Sequence, residues 1–575
     1  MSSKPTFKIA SIALLLATLV DSTWAANGAL LPGSVLPEQV GESLTKRPQN
    51  VVTQAPLETP VSKQNEALGP EAKRIKFTLN GIILEGNHVY RTDQLAPIYQ
   101  NKIHKRISVA ELFAIVQDIT NYYRNNGYII SRAILPPQHV KNGVVRVRII
   151  EGFIDKLFVT GDPKGAKCLV TAYGKQIKKC RPLHMSRMER YLLISNEIPA
   201  TQVKAVLTPS KSQVGAADLT LVTVNKPITG YVSYDNYGTR YIGPQQMTAN
   251  LALNSMITSG DSTQFTAIKT PKGGELTYGD VNYNAALGDD GMRWLVGGTY
   301  VHTHPLFVLK DLQIDGVNNN YYTSVQYPYL RTRTENITLQ AGFNYLDSRV
   351  TTLLNQQLYN DHVRSLDLSA TYNFADRFAG MNFVTLDFRQ GLPILGYSSN
   401  YNPDTATTSR PGGRGDYTKF NLQASRLQQI YGPFSIYGLF RGQWAFNPLL
   451  ASEQFSYGGS QFGRGYDVAE IIGDKGIGGT LELHYDLGIG KFLMRSMQFY
   501  TFYDAGMIWN LKNIAGTPRK QSGTSAGIGT RFFFSNYISG NLMWTQTLTK
   551  QVAAEQLIGD GRRPRVFFSI VATFN

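Results

Sequence analysis

The chain has 575 residues, a formal charge of +16 from 57 Lys and Arg against 41 Asp and Glu, and only two cysteines. Two cysteines exclude a disulfide-rich scaffold, and basic residues spread along the chain without a nucleic-acid motif argue against DNA or RNA as a partner. The 32 Tyr, 27 Phe and 53 Gly are instead the residues from which lipid-facing β-strands are built.

Lys4 and Lys8 precede an apolar run from Ile9 to Val20 and small residues ending at Ala25, the pattern of a secretory signal peptide over residues 1–25. The run is short of the roughly 20 apolar residues that cross a bilayer core. The mature chain is expected to start at Ala26, or else at Asn27. Residues 26–74 are broken by Pro32, Pro37, Pro48, Pro56, Pro60 and Pro70 and read as a linker. A short plug helix over 37–46, with Val40 and Leu44 as its apolar face, is one reading of that segment; a segment with no structure is the other.

A small α/β module is expected over 75–152. Leu79 to Glu85 reads as a strand turned at Gly86-Asn87, and Ser108 with Glu111 forms a capping box for a helix ended by Gly127. Val109, Leu112, Phe113, Val116, Ile119 and Tyr123 recur at helical spacing, so one face of that helix is buried. Strands over Tyr128 to Leu135 and Val144 to Ile150 follow. The order repeats over 153–226, with a strand from Ile154 to Thr160, a second capping box at Ser186 and Glu189, and strands near 203–207 and 219–224. Two tandem copies of one module account for this economically.

From residue 227 to 575 the texture changes to long alternating segments. Ile337, Leu339, Ala341, Phe343 and Tyr345 alternate with Thr338, Gln340, Gly342 and Asn344; Leu366, Leu368, Ala370, Tyr372 and Phe374 alternate with Ser365, Asp367, Ser369, Thr371 and Asn373. One apolar and one polar face is what a strand between lipid and a wet lumen requires. Sixteen such segments, the last ending near Phe574, predict a membrane β-barrel of 16 antiparallel strands. Closure pairs every backbone group and leaves no edge in lipid.

Ile82 to Asn87, the Leu135-Pro136-Pro137-Gln138 segment with Gly143 and Glu151-Gly152, and Ala216 to Leu219 resemble the two polypeptide-transport-associated (POTRA) domains of two-partner secretion transporters, the exporters of haemolysins and filamentous adhesins. Asp235-Asn236-Tyr237-Gly238 resembles the entry of that family's barrel. Phe462-Gly463-Arg464-Gly465-Tyr466-Asp467 resembles the tip of its inward-folding loop, and Phe502-Tyr503-Asp504-Ala505-Gly506 the companion aspartate motif on the wall. The likeness covers nearly all of the mature chain. It implies an outer-membrane protein with periplasmic modules that exports a large exoprotein bearing an amino-terminal secretion domain. Outer-membrane lipid surrounds such a barrel, and the barrel assembly machinery inserts it.

The residues support the carry-over. Asp504 shares strand parity with Gln498, opposite Met497, Phe499 and Tyr503, so its carboxylate is expected in the lumen, where Arg464 offers a planar, always-charged fork. Exchange of the two charges is then expected to restore part of a lost activity. The family's arginine usually follows a small apolar residue; Gly463 departs from this and is expected to loosen the tip. Substrate contact is expected around Phe113, Tyr122, Tyr128 and Ile130, where a strand edge beside a helix can receive an extended segment, although Phe113 also reads as a core residue.

Cys168 and Cys180, close in sequence in an oxidising compartment, are expected to form a disulfide. No spacing fits a metal or nucleotide site, so neither a cofactor nor catalysis is expected. Arg414-Gly415-Asp416 is a three-residue coincidence rather than an adhesion signal. A barrel insertase of the same superfamily, and a surface receptor or porin, stand as alternatives; insertases generally carry more than two modules, and a porin has no use for them.

Overall fold

The structure, a computed structural model, describes residues 31–45, 71–271, 273–353, 355–399, 408–491, 494–512, 518–549 and 563–574. The expected signal segment lies outside these residues, as do residues 46–70. The first helix, α1 (Pro37–Thr45), opens on a proline, whose fixed φ suits the first helical turn and whose missing N–H is no loss there. Its Val40 and Leu44, with Val35 and Leu36 just before it, are buried against Ile268, Tyr278, Val301, Ile314 and Val350 inside the barrel.

The first module runs β1 (Lys76–Leu79), β2 (Gly81–Glu85), α2 (Thr92–Tyr99), β3 (Lys105–Ser108), α3 (Val109–Asn125), β4 (Arg132–Ile134) and β5 (Val144–Ile150). Ser108 Oγ accepts the Glu111 N–H at 3.2 Å, and the Glu111 carboxylate accepts the Ser108 N–H at 2.8 Å. This reciprocal cap satisfies two otherwise orphaned donors. Leu112, Val116, Ile119 and Tyr123 enter the core together with Ile115, whereas Phe113 stays half-buried outside it. The strand expected from Tyr128 contracts to three residues. Tyr128 N–H is bonded to Tyr123 O and Ser131 N–H to Tyr128 O, so 128–131 is the exit turn of α3.

The second module runs β6 (Ile154–Asp162), α4 (Lys167–Lys178), α5 (Met185–Asn196), β7 (Thr201–Pro209) and β8 (Ala217–Asn225). Both modules place the last strand in the centre of a three-stranded sheet: β5 lies parallel to β2 and antiparallel to β4, and β8 parallel to β6 and antiparallel to β7, while β1 and β3 pair separately. The capping box expected at Ser186 and Glu189 is absent. His184 caps α5 by accepting the Ser186 N–H through its ring, and the Glu189 carboxylate instead accepts the Arg333 N–H at 2.8 Å.

The rest is one closed barrel of sixteen antiparallel strands, as the alternation predicts. They are β9 (Ile228–Asp235), β10 (Gln246–Asn254), β11 (Ser262–Lys269), β12 (Leu276–Leu287), β13 (Met292–Thr303), β14 (Asp315–Arg331), β15 (Glu335–Thr352), β16 (Gln356–Ala375), β17 (Gly380–Gly391), β18 (Thr418–Tyr431) and β19 (Phe434–Ala445). After β19 the chain makes a hairpin, β20 (Phe455–Tyr457) and β21 (Ile471–Gly473), that does not join the barrel. The wall resumes with β22 (Lys475–Lys491), β23 (Met494–Trp509), β24 (Lys520–Phe533), β25 (Ile538–Thr547) and β26 (Arg565–Phe574). Leu366, Leu368, Phe499 and Tyr503 are exposed on the outer face, where lipid covers them, while Asp367 on the other face pairs with Arg389.

Helices α4 and α5 seat the second module on three turns between barrel strands. Ser259 Oγ, after β10, accepts the Leu169 N–H at 3.0 Å and donates to Gly165 O at 2.7 Å. Asp290, after β12, accepts from the Tyr191 and Tyr327 hydroxyls at 2.7 Å each. Burial and that bond to Asp290 push the Tyr191 phenol up to about 12. The third turn, after β14, is held by Arg333 and Glu189, and Arg190 reaches Pro328 O at 2.9 Å.

Candidate functional site

The loop between β19 and β22 folds into the lumen, and residues 462–467 form its tip. Arg464 is 4% exposed and its partner Asp504 is fully buried. The guanidinium donates from Nε to Asp504 Oδ2 at 3.1 Å and from Nη2 to Oδ1 at 2.7 Å, a two-pronged grip to which the Arg464 backbone N–H adds a third bond at 2.8 Å. Planar bidentate pairing of this kind is strong and directional. Sequence reasoning thus placed both partners, but the site holds more. Nη1 donates to Glu482 and Nη2 to Thr480, both on β22. Phe502 lies flat beneath the guanidinium, 3.5 Å from it. Glu482 also accepts from Arg531 at 2.9 Å and pairs with His484 at 2.7 Å. Alternation carried a missed signal here, since Thr480, Glu482 and His484 share one face of β22, and that face points at the loop.

The tip continues along the wall. Gly465 N–H donates to Ser525 Oγ at 3.2 Å, and the Tyr466 hydroxyl donates to Thr524 O at 3.2 Å. Asp467 is bound by Arg240 and Arg565. Gly463 is closely packed. Its φ is +73°, a conformation glycine adopts at no steric cost, and a β-carbon there would stand 2.9 Å from the Tyr457 ring and Gly458 N. Gly506, from the aspartate motif, leaves the space that Tyr457 occupies; a β-carbon would fall 2.1 Å from that ring.

Helix α1 lies in the lumen beside this loop. Its buried Glu38 accepts from Ser348 Oγ at 2.6 Å and from the Tyr359 hydroxyl at 3.0 Å, and Gln39 donates to Ala451 O in the loop.

Of the residues expected to contact substrate, Tyr122 and Tyr128 meet around Tyr90, at 5.1 and 6.0 Å between ring centroids. Phe113 stands apart from them, and Ile130 packs instead against the core of the second module. Cys168 and Cys180 are free thiols, contrary to the expected disulfide. They sit at the start and just past the end of α4, so twelve residues of helical rise, about 18 Å, separate them, far beyond the reach of a disulfide. Arg414 and Asp416 pair with each other. Among the described residues no group of three His, Cys, Asp or Glu side chains is placed to hold a metal.

A family model of the haemolysin secretion/activation protein ShlB/FhaC/HecB matches residues 216–531. The chain belongs to that family. A model of the ShlB-type POTRA domain matches residues 77–152 of this transporter. It is similar to the heme/hemopexin transporter protein HuxB of Haemophilus influenzae, 22% identical over 87% of this chain and 88% of the relative. It is also similar to the outer membrane transporter CdiB of Dickeya dadantii, 22% identical over 83% of each. Among solved structures, CdiB from Escherichia coli superposes over the full length of both chains with a TM-score of 0.68 at 16% identity. BamA from Haemophilus ducreyi, without its first three POTRA domains, covers 87% of this chain with a TM-score of 0.51 at 13% identity; that likeness is one of fold. The transporter is an outer-membrane component of two-partner secretion, with its POTRA modules in the periplasm.

Proposed function

We propose that the transporter works by exchange of lumen occupants: a large unfolded exoprotein of the haemolysin or adhesin class displaces α1, and the loop tip held by Arg464 keeps the wall in order while it passes. The observation that carries this reading is how the lumen is filled. Two segments occupy it, α1 and the inward loop, and both are held by apolar packing and side-chain bonds, with neither joined to the barrel wall by strand pairing. On this reading residues 1–25 direct export to the periplasm, 26–74 tether the plug, 75–152 and 153–226 are POTRA modules, and 227–575 form the barrel.

The first module is the receptor. Its sheet ends in the edge strand β4, beside α3 and the Tyr90, Tyr122 and Tyr128 rings, a setting suited to an added strand with apolar side chains. Folding of the exoprotein outside the cell drives transport, with no chemistry by the transporter itself. Lipid surrounds the barrel, and the barrel assembly machinery inserts it. Deletion of residues 79–150 tests the assignment: secretion is lost while the barrel still inserts, and normal secretion by the deletion variant would overturn it.

A further inference from the structure

Every barrel must close its first strand on its last, and here that seam is thin. The ladder between β9 and β26 registers only Gly230–Asp235 against Ser569–Phe574, the shortest wall pairing among the described residues. Beyond Asp235 the first strand stops, although β26 continues up to Arg565. The Asp235-Asn236-Tyr237-Gly238 motif fills the gap with side chains. Asn236 adds one main-chain rung, its N–H donating to Phe568 O at 3.2 Å, and its side chain donates from Nδ2 to Val566 O at 2.9 Å and accepts the Phe568 N–H at 2.7 Å, so one amide imitates the rungs that are missing. Tyr237 stacks on Phe567 with centroids 5.8 Å apart, and its hydroxyl accepts from Asn541 at 2.8 Å.

The last contact across the gap comes from neither strand. Arg240, in the turn after β9, donates to Asp467 Oδ2 at 2.9 Å, and Arg565, the first residue of β26, donates to Asp467 Oδ1 at 2.8 Å. Asp467 belongs to the inward loop, three residues beyond Arg464, and its side chain is 1% exposed. Glu470, on the same loop, adds a second negative charge near Arg240. The seam therefore presents two cations, and the loop supplies the anion that lets them face each other. Removing one partner from such a buried group leaves uncompensated charge, here two like charges on opposite sides of a short ladder.

We infer that Asp467 is the clasp of the barrel seam, a positioning residue through which the seated loop holds the first and last strands together. Withdrawal of the Arg464 tip then takes the clasp away, and loop seating and seam closure become one event. The idea concerns the wall and not the cargo, so it is tested without any exoprotein, and its failure leaves the transport reading standing.

The test uses the full-length transporter in outer membranes, with Cys168→Ser and Cys180→Ser to remove the native thiols. Ser233→Cys and Val571→Cys, opposite each other in the seam, report closure by their rate of oxidative cross-linking. Heat-modifiability confirms that each barrel is folded. Asp467→Asn and Arg464→Ala are each expected to slow cross-linking, on the order of fivefold or more, and the double variant to be no slower than the slower single one. Asp467→Glu restores the rate. Adding Arg240→Gln and Arg565→Gln to Asp467→Asn restores part of it, because the facing cations are gone. If Asp467→Asn does not assemble, Arg565→Gln, which breaks the clasp from the other side, is expected to slow the same reporter. Unchanged cross-linking in Asp467→Asn or in Arg565→Gln, or a slow seam in Asp467→Asn with an unaffected one in Arg464→Ala, would overturn the proposal.

Discussion

At Arg464 three anions or dipoles compete for one guanidinium, and this shapes what mutation does. Asp504→Ala leaves Arg464 bonded to Glu482 and Thr480. Arg464→Ala strips a cation from two buried carboxylates, of which only Glu482 keeps Arg531. Arg464→Ala is therefore expected to depress secretion more than Asp504→Ala, with both barrels assembled, and the double-alanine variant to be less than additive in secretion assays. The charge exchange, attractive when only two partners are known, is expected to recover little, since an aspartate at 464 would face Glu482. The pair itself was legible because parity puts Asp504 in the lumen and a glycine-flanked arginine has few other uses. Phe502 was not legible as a partner: parity sets it on the Asp504 face, but only the folded loop, distant in sequence, brings a cation over its ring. The cysteines failed for a related reason: nearness in sequence stood in for nearness in space, and a helix intervened. Both thiols are expected to react with a maleimide in native, unreduced protein, Cys168 faster because it is exposed.

The elements divide by how strongly a pattern is imposed on them. Lipid on one face and water on the other impose strict alternation on the wall, and all sixteen strands were found from it. The modules meet no such boundary, so their strand ends were misplaced in both directions, β4 drawn too long and β6, β7 and β8 too short, and α2 and α4 were passed over. Pro97 sits inside α2 and disguises it as a loop, and α4 lacks a side-chain cap. His184 shows why a Ser-x-x-Glu match is not a cap until the chain geometry is known. Where the capping box is real, its loss is measurable. Ser108→Ala is expected to cost about 1 kcal/mol of helix stability, read as faster amide exchange in the first turn of α3 with the barrel unchanged. Asp290→Ala removes two tyrosine bonds and an ion pair from one turn. Each such bond contributes roughly 1 kcal/mol, so α5 is expected to exchange faster and to become accessible to protease.

On the scale of the whole molecule, the closed barrel was the most legible feature and the lumen the least. Closure follows from strand count and from the absence of an edge in lipid, whereas the seating of α1 depends on Ser348, Tyr359 and the loop, which are hundreds of residues away. The transporter is expected to fractionate with outer membranes and to run faster on gels before boiling than after.

Burial also sorts the ion pairs by their response to dissolved salt. Mobile ions screen exposed charges over about 8 Å at physiological strength but do not enter a dry contact. Arg464 and Asp504 are 4% and 0% exposed, whereas the pairs that brace the second module, Arg190 with Asp290 and Arg333 with Glu189, are 17% and 48%, and 42% and 19%, exposed. Concentrated salt therefore slackens the joint between module and barrel and spares the tip in the lumen. A single transporter would carry its second module on a loose joint beside a tight pore in brine, and on a stiff joint beside the same pore in dilute buffer.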